Sequence, residues 1–242
     1  MSEHGTITTD NHAALWHGRF LEGPDAAAVT FETSIQDDMR MAMVDIEGSI
    51  NHAKMLSKVG LISKDEEKQI IDGLNSIKED LIARKDKNGN PFNVDMSAED
   101  IHSFIEATLT DRIGEAGKKV HTGRSRNDQI ALDERLFLRH QINMLKNEIN
   151  KMISVLVKIA SENKDNLISG YTHMQHAQPV TLAHHVLAWA WMFYRDYDRL
   201  TDAYKRVKVS PIGDYSLAGS GIPFDRAFEA ELNDFPFATA NS

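Results

Sequence analysis

The two longest apolar patterns in this 242-residue sequence repeat at alternating spacings of three and four residues. One runs from about Asp128 to Glu162, and the other runs from Pro179 to about Lys208. Their apolar members are Ile142, Leu145, Ile149, Met152, Leu156 and Ile159, followed by Val186, Ala190, Phe193, Tyr197, Leu200, Tyr204 and Val207. This spacing lines one face of an α-helix, and helices of such length predict a long bundle or a coiled coil.

Two amphipathic helices of this length leave a large apolar surface. The rest of the chain offers few elements that could cover it, and apolar surface exposed to water is unfavourable. We therefore expect the protein to form oligomers through the long helices, and we expect the chain to be part of a longer one.

Shorter helical patterns fill most of the remaining sequence. Ser63 with Glu66 is the signature of a capping box, and Ser97 with Asp100 is a second one, before a helix that should end near Gly114. The apolar stripes of these segments are Met39, Met43, Ile46, Ile50 and Ala53, then Ile70, Leu74, Ile77 and Leu81, then Ile101, Ile105 and Leu109. Strand content is predicted to be close to nil, so the fold class is all-α.

Three connections interrupt the helical patterns. The segment "NGNP" (88–91) predicts a turn, and the residues after Pro211 are glycine-rich and irregular before a last helical pattern. The segment "DNLISGYTHMQHAQP" (165–179) joins the two long helices. We predict an irregular polar connection there rather than a simple hairpin, with Pro179 in the first turn of the second long helix.

Composition excludes several classes of protein. No cysteine occurs, which rules out disulfides and thiolate metal sites and fits a reducing cytoplasm. No apolar run approaches the ~18 residues of a membrane span, and the N-terminus lacks the features of a signal peptide. The net charge of −9 argues against general binding to nucleic acid, although a local positive cluster can still hold an anionic substrate.

The segment "GYTHMQHAQP" (170–179) gathers polar side chains before the second long helix. The N-terminus of a helix favours anions, and a histidine beside threonine and glutamine suits proton transfer near neutral pH. His173, His176, His184 and His185 could instead form a metal site, but no carboxylate or cysteine accompanies them. A third alternative is that these histidines only satisfy the loop backbone.

The segment "KKVHTGRSRNDQ" (118–129) is the electropositive counterpart. Its cationic or protonatable residues are Lys118, Lys119, His121, Arg124 and Arg126. They surround Gly123, where a backbone can approach a ligand closely, and arginine forks suit carboxylates. Asn127 and Asp128 could equally cap the long helix, and Asp100 by itself is most simply a helix cap.

Together these segments resemble argininosuccinate lyases, a family of the fumarase/aspartase superfamily. The matching stretches are "LWHGRF" (15–20), "FETSIQDD" (31–38), "AEDIH" (98–102), "HTGRSRNDQ" (121–129), "GYTHMQHAQP" (170–179) and "LAGSGIPFDR" (217–226). The resemblance implies a long-helix bundle with a small helical N-terminal domain. Residues 1–114 would form that domain, and residues 115–242 would begin the central bundle. Family members are about twice as long, so the chain would be an N-terminal half.

The resemblance also implies a reaction and a site. The reaction is a reversible β-elimination that yields arginine and fumarate, with no metal and no organic cofactor, in a cytoplasmic homotetramer whose subunits share active sites. His173 and Thr172 match catalytic positions, and a serine in the missing half is the other candidate base. The residues that match substrate-binding positions, supporting positions or carboxylate clamps are Ser34, Asp100, His102, Arg124, Arg126, Asn127 and Thr172.

Three alternatives to this function stay open at the level of sequence. Another lyase of the superfamily that releases fumarate would share most of the matching segments. A catalytically inert structural protein, as in the lens crystallins of this fold, is a different class of function, although an intact His173 disfavours it. The chain could also be a folded core with no activity of its own.

Overall fold

The structure, a computed structural model, describes residues 25–83, 94 and 98–241. In order, its helices and strands are α1 (Ala26–Glu32), α2 (Ile35–Asp38), α3 (Ala42–Lys58), α4 (Lys64–Ala83), α5 (Ile101–Ile113), α6 (Glu115–Lys118), α7 (Arg126–Glu162), β1 (Leu167–Thr172), β2 (Gln175–Thr181), α8 (Leu182–Val207) and α9 (Arg226–Leu232). Short 3-10 helices lie at Met39–Met41 and Lys119–His121. The predicted all-α fold class is confirmed, apart from one small sheet.

The described residues form two compact units, divided within α7 between Leu136 and Phe137 and again between Lys208 and Val209. The first unit holds the helices before α7, the part of α7 up to Leu136, and α9. The second unit holds the rest of α7, the two strands and α8. The sequence predicted a domain boundary between residues 114 and 115. That boundary refers to the domains implied by the family resemblance rather than to these two units, and it stays a prediction. Within the described ranges, no helix is both long and apolar enough to cross a membrane.

The core of the first unit lies between α3, α4 and α5. The predicted stripe of α4 is fully or almost fully buried, as are Ile46, Ile101 and Phe104 from its neighbours. The capping box is confirmed, because the Ser63 amide donates to Glu66 Oε2 at 2.8 Å and the Glu66 amide donates to Ser63 Oγ at 3.2 Å. These local bonds start α4 where its apolar periodicity begins.

Helix α5 begins and ends close to the predicted positions. Asp100 is its N-cap, with its side chain accepting from the Ser103 amide at 2.6 Å, and Gly114 ends it with φ of 67°. Ser97, the other half of the predicted capping signature, lies outside the described residues. So do the predicted turn at 88–91 and the stretch "LWHGRF" (15–20).

The long helices are confirmed over most of their predicted lengths, but the start of the second was wrong. Helix α8 begins at Leu182, where Thr181 is the N-cap and its side chain accepts from the His184 amide at 3.1 Å. Pro179 instead lies in β2, paired with Ser169 of β1. Proline fits the first turn of a helix and an edge strand equally well, so its position alone did not decide.

The connection between α7 and α8 is an antiparallel β-hairpin, which corrects the prediction of an irregular polar connection. Its two short strands form the one sheet among the described residues, in keeping with the low predicted strand content. Strands β1 and β2 pair from Leu167 with Thr181 to Thr172 with Gln175. Only His173 and Met174 form the turn, with φ of 50° and 62°. Positive φ at both turn residues matches the twist of the paired strands. The usual sequence signal for such a turn is Asn-Gly or Asp-Gly, and it is absent here, so the hairpin was missed.

Candidate functional site

The segment 121–128, named the substrate loop after the role that the sequence predicts for it, ends in the first turn of α7. Ser125 precedes the helix, and its Oγ accepts from the Asn127 amide at 3.3 Å while its own amide donates to Asp128 Oδ1 at 2.8 Å. Asp128 Oδ2 accepts from the amides of Gly213 and Tyr215, both at 2.9 Å. The helix-cap alternative for Asp128 is therefore supported, with the carboxylate also holding the irregular segment after Pro211.

Arg126 and Asn127 follow Ser125 on the first turn of α7. The Arg126 guanidinium donates to Gln129 Oε1 at 2.7 Å and to Ser103 Oγ at 3.2 Å. It also lies 3.5 Å from both Asp100 Oδ2 and Glu106 Oε2. Asn127 is exposed. Arg126 therefore bridges the substrate loop to the start of α5, beside a side chain that is open to solvent.

Ser34 is close to the same helix start. Its amide donates to the Glu99 carbonyl at 2.9 Å, and its hydroxyl donates to Asp38 Oδ2 at 2.6 Å. Asp38 Oδ1 in turn accepts from the Ile101 amide at 3.1 Å. Burial raises the pKa of Asp38 above its usual value, although the Ser34 hydrogen bond opposes this. The fold thus brings Ser34, Asp100 and Arg126 to the N-terminus of α5.

His102 lies deeper in the first unit, with 1% of its side chain exposed. Its Nδ1 is 3.0 Å from Asp45 Oδ1 and 3.2 Å from Asp133 Oδ2. Burial lowers the pKa of His102, but the hydrogen bonds and charges of Asp133 and Asp45 outweigh it and raise that pKa to about 10. Burial and the charge of Asp45 raise the pKa of Asp133 to about 8.

Asp45 keeps the negative charge of this cluster. Its burial would raise its pKa, but His102 and Arg124 hold that pKa below the usual range. The side-chain amide of Gln129 also donates, through Nε2, to Asp45 Oδ1 at 2.6 Å. These shifts favour a cationic His102, an anionic Asp45 and a protonated Asp133 in the buried cluster near neutral pH.

Arg124 is buried as well, with 4% exposure. Its Nη2 donates to Ser49 Oγ at 3.1 Å, and its Nε has no hydrogen-bond partner among the described residues. The sequence interpretation of Arg124 as a carboxylate clamp stays a prediction. In this structure its charge acts on Asp45 and Glu106.

The two predicted catalytic residues belong to the second unit. Thr172 ends β1 and pairs with Gln175, and His173 is the first turn residue of the hairpin. Both side chains are exposed. Nearby His176 has local partners, since its Nδ1 is 2.8 Å from Ser169 Oγ and its ring lies 4.8 Å from that of Tyr171. The hairpin thus presents His173 to solvent and ties His176 to its own strands.

Within the described ranges, one group of histidine and carboxylate side chains has converging ligand atoms. These are Asp45, His102 and Asp133, whose atoms lie within 4.8 Å of one another. A proton fits the group better than a metal ion, because Gln129 already donates to Asp45 and the Arg124 cation acts on the same carboxylate. The expectation of a metal-free protein stays a prediction.

The sequence interpretation missed Asp45, Glu106, Gln129 and Asp133. Gln129, Leu132, Asp133 and Leu136 repeat at spacings of three and four and are all buried. A polar residue on such a face is a signal for a buried polar network. Asp45 gives the same signal between Val44 and Ile46 on α3. These buried polar residues, however, find their partners on other helices, since the cluster combines residues of α3, α5 and α7. The sequence alone did not bring them together.

The chain belongs to the Lyase family, whose model matches residues 18–239. It is 48% identical over 228 residues to the argininosuccinate lyases of Heliobacterium mobile and Methylococcus capsulatus, which covers 94% of this chain and 48% of each relative. The argininosuccinate lyase of Pseudomonas fluorescens is 45% identical over 236 residues, or 98% of this chain and 50% of the relative. The chain therefore spans about half the length of these relatives.

Solved structures support the same fold. An EDDS lyase in complex with formate has a TM-score of 0.72 at 28% identity, covering 84% of this chain and 38% of that one. A class II fumarase from Schistosoma mansoni has a TM-score of 0.65 at 17% identity, covering 87% of this chain and 47% of that one. These neighbours are members of the fumarase/aspartase superfamily, as the sequence resemblance implied.

Proposed function

We propose that this chain forms the N-terminal half of an argininosuccinate lyase, which cleaves argininosuccinate reversibly to arginine and fumarate in arginine biosynthesis. The observation that carries the proposal is its identity of up to 48% to relatives of that name over 94% of its length. The start of α5 and the substrate loop add the polar groups that such a substrate needs. A cytoplasmic location of the protein is part of the same proposal.

The proposed reaction is a β-elimination. A base removes a proton next to a carboxylate, a dianionic intermediate forms, and an acid protonates the departing guanidinium nitrogen. Preorganised donors stabilise the charge that develops in the transition state. Ser34, Arg126, Asn127 and Thr172 are the proposed donors to the substrate carboxylates, and their exposed or half-buried positions support this role. No metal or organic cofactor is needed.

His173 is the proposed acid/base group, together with a serine outside this chain. Its exposed position on a two-residue turn supports contact with a bound ligand. Asp100 and His102 are proposed to support the substrate-binding residues of the first unit, and Arg124 is proposed as a carboxylate clamp there.

The test is fumarate release from argininosuccinate by a protein that contains this chain and the further length that its relatives have. Appearance of the ultraviolet absorbance of fumarate would support the proposal. The 28% identity to EDDS lyase supports a second candidate, a superfamily lyase with a different amine product. Turnover of EDDS in place of argininosuccinate would favour that candidate. Turnover of neither substrate would favour the crystallin-like, structural alternative.

The 242-residue chain alone is expected to show no lyase activity. The reason is that removing one member of an acid/base pair removes most of the rate, and the proposed serine lies outside this chain. The measurement is the fumarate assay on the purified chain. Substantial fumarate production by this chain alone would contradict the proposed division of the catalytic groups.

The second unit supports a proposed homotetramer in which subunits share active sites. Many large apolar side chains of α7 and α8 are exposed, some of them outside the predicted stripes. They include Met144, Leu145, Met152, Val155, Val157, Trp189, Trp191, Met192 and Tyr194. Apolar surface of this extent is typical of an interaction site. Packing against other copies of the long helices would bury it.

Replacing Leu156 and Phe193 with aspartate is expected to dissociate the oligomer or to unfold the protein. Each substitution places a charge on a predicted apolar face, where desolvation is costly. Light scattering measures the mass, and circular dichroism separates dissociation from unfolding. Ser161→Asp with His185→Asp is the matched control, since it adds two acidic residues at exposed positions of the same helices. A monodisperse monomer from the unmodified chain would count against the proposed assembly.

A further inference from the structure

His52 connects three separate segments of the first unit. It lies on α3 and is 1% exposed. Its Nδ1 is 2.8 Å from Glu229 Oε1 on α9, and its Nε2 is 3.0 Å from the Thr122 carbonyl oxygen in the substrate loop. A carbonyl oxygen only accepts, so Nε2 is protonated and its N–H donates a hydrogen bond to the Thr122 carbonyl oxygen. The second hydrogen bond, between Nδ1 and Glu229 Oε1, requires a further proton, either on Nδ1 or on the Glu229 carboxyl, and it fixes the plane of the ring.

The backbone next to Thr122 is confined from the other side. Gly123 has φ of 67°, and a Cβ added there would lie 1.8 Å from Cζ of Phe224. The Phe224 ring also meets His52 edge to face, with centroids 6.0 Å apart. The Thr122–Gly123 turn therefore fits only between the imidazole of His52 and the ring of Phe224.

The other end of the substrate loop is fixed independently. Asp128 accepts from the Ser125 amide and from the amides of Gly213 and Tyr215. Arg126 and Asn127 follow this anchored end as the first two residues of α7. The backbone of the loop thus has one anchor on each side, the His52 bond to the Thr122 carbonyl and the Asp128 bond to the Ser125 amide, in addition to the side-chain bonds of Arg124 and Arg126.

We propose that His52 is a positioning residue for the substrate loop, with Glu229 holding its imidazole in the orientation that fixes the Thr122 carbonyl. The inference rests on the proposed function, because it is that function which makes residues 121–128 a substrate loop. The competing explanation is that the His52–Glu229 pair only fastens α9 to α3. The proposal depends on the Nε2 contact with Thr122, and the competing explanation depends on the Nδ1 contact with Glu229. Variants that keep only one of the two contacts therefore separate them.

Two substitutions of His52 each preserve one of its contacts. The amide of asparagine reaches about as far as Nδ1, so His52→Asn keeps a partner for Glu229 and loses Thr122. The amide of glutamine reaches about as far as Nε2, so His52→Gln keeps a donor for Thr122 and loses Glu229. Hydrogen–deuterium exchange on the unliganded 242-residue chain then reports the order of each segment.

The expected result is faster exchange of the Thr122 and Arg124 amides in His52→Asn, by roughly five- to tenfold, as the loss of one hydrogen bond implies. These amides donate to the Lys119 and His121 carbonyls beside the lost contact. In His52→Gln these amides should stay near the wild-type rate. The amide of Asn233, the C-cap of α9, donates to the Glu229 carbonyl and should exchange faster. Gly123→Ala is the positive control for a disordered loop, because its Cβ collides with Phe224.

Two results would overturn the proposal. One is equal acceleration of the loop amides in both His52 variants. The other is a uniform acceleration throughout the first unit in both, failure to fold included, which would assign His52 to stability alone.

The complete protein gives a second measurement. His52→Asn is expected to raise KM for argininosuccinate roughly tenfold with kcat largely kept, because loss of loop order weakens ground-state and transition-state binding alike. His52→Gln should restore the wild-type KM, and an unchanged KM in both variants would contradict the role of His52 in positioning. Absence of any fumarate release by the wild-type protein would instead refute the proposed function, and the exchange pattern would still decide whether His52 orders the loop.

Discussion

Replacing His173 with asparagine is expected to lower the turnover of the complete enzyme roughly 10²–10⁴-fold while substrate binding is largely kept. The reason is that asparagine retains a hydrogen-bonding amide but cannot exchange a proton near neutral pH. The turn itself should survive, because His173 has φ of 50° and asparagine tolerates this left-handed conformation. Steady-state kinetics of the complete protein measure kcat and KM separately.

His176 is the matched control for this prediction. It has the same residue type on the same hairpin, but its Nδ1 is bonded to Ser169 Oγ, and it matches no catalytic position. His176→Asn should therefore cost some hairpin stability and much less activity than His173→Asn. Equal losses of activity in both variants, accompanied by equal losses of thermal stability, would assign His173 a structural role.

Replacing His102 with glutamine is expected to lower the free energy of unfolding by about 3–5 kcal/mol, the usual cost of leaving a buried charge without its partner. His102 is 1% exposed between two carboxylates. Without the imidazolium, Asp45 loses the main group that keeps it anionic, so its buried carboxylate must either stay charged without that partner or take up a proton, and both cost stability. Chemical denaturation of the purified chain at pH 7 measures the loss. A change below about 1 kcal/mol would be typical of a surface pair and would contradict a charged buried cluster.

The same cluster predicts how stability depends on pH. The pKa of His102 is raised to about 10 and that of Asp133 to about 8, so the folded protein binds more protons than the unfolded chain. The stabilisation from His102 is complete below its unfolded pKa of about 6.5 and is lost as the pH rises through about 10. Asp133 adds a loss of the same sign between about pH 4 and pH 8.

Denaturation curves between pH 5 and pH 10 test this dependence. The wild-type protein should lose stability steadily with rising pH, and the His102→Gln variant should show a flatter curve. Asp133→Asn is the control, because an amide resembles the protonated carboxyl that Asp133 carries at neutral pH. It should cost far less than His102→Gln and should remove part of the slope below pH 8. Stability that rises over this range would contradict the charge assignment.

The sequence alone was sufficient for most of the helical architecture. The apolar spacing predicted α7 and α8, and the stripe Ile70, Leu74, Ile77 and Leu81 predicted the buried face of α4. Ser63 with Glu66 located the start of α4, and Gly114 located the end of α5. These features are local, since a helix forms its hydrogen bonds and its caps within a few residues of sequence. The family was likewise recognisable from short contiguous segments of sequence. Recognising such segments does not require knowledge of the tertiary structure.

The hairpin and the polar clusters were decided only by the tertiary structure. The turn at His173 and Met174 adopts positive φ without glycine or asparagine, so pairing of β1 with β2 imposes what local preference would not select. The protonation of the buried cluster depends on contacts between α3, α5 and α7, which lie far apart in sequence. His52 appears in the sequence as one more residue of α3. Only the fold brings the Thr122 carbonyl and the Glu229 carboxylate to opposite sides of its ring, because those contacts span about 70 and 177 residues of chain.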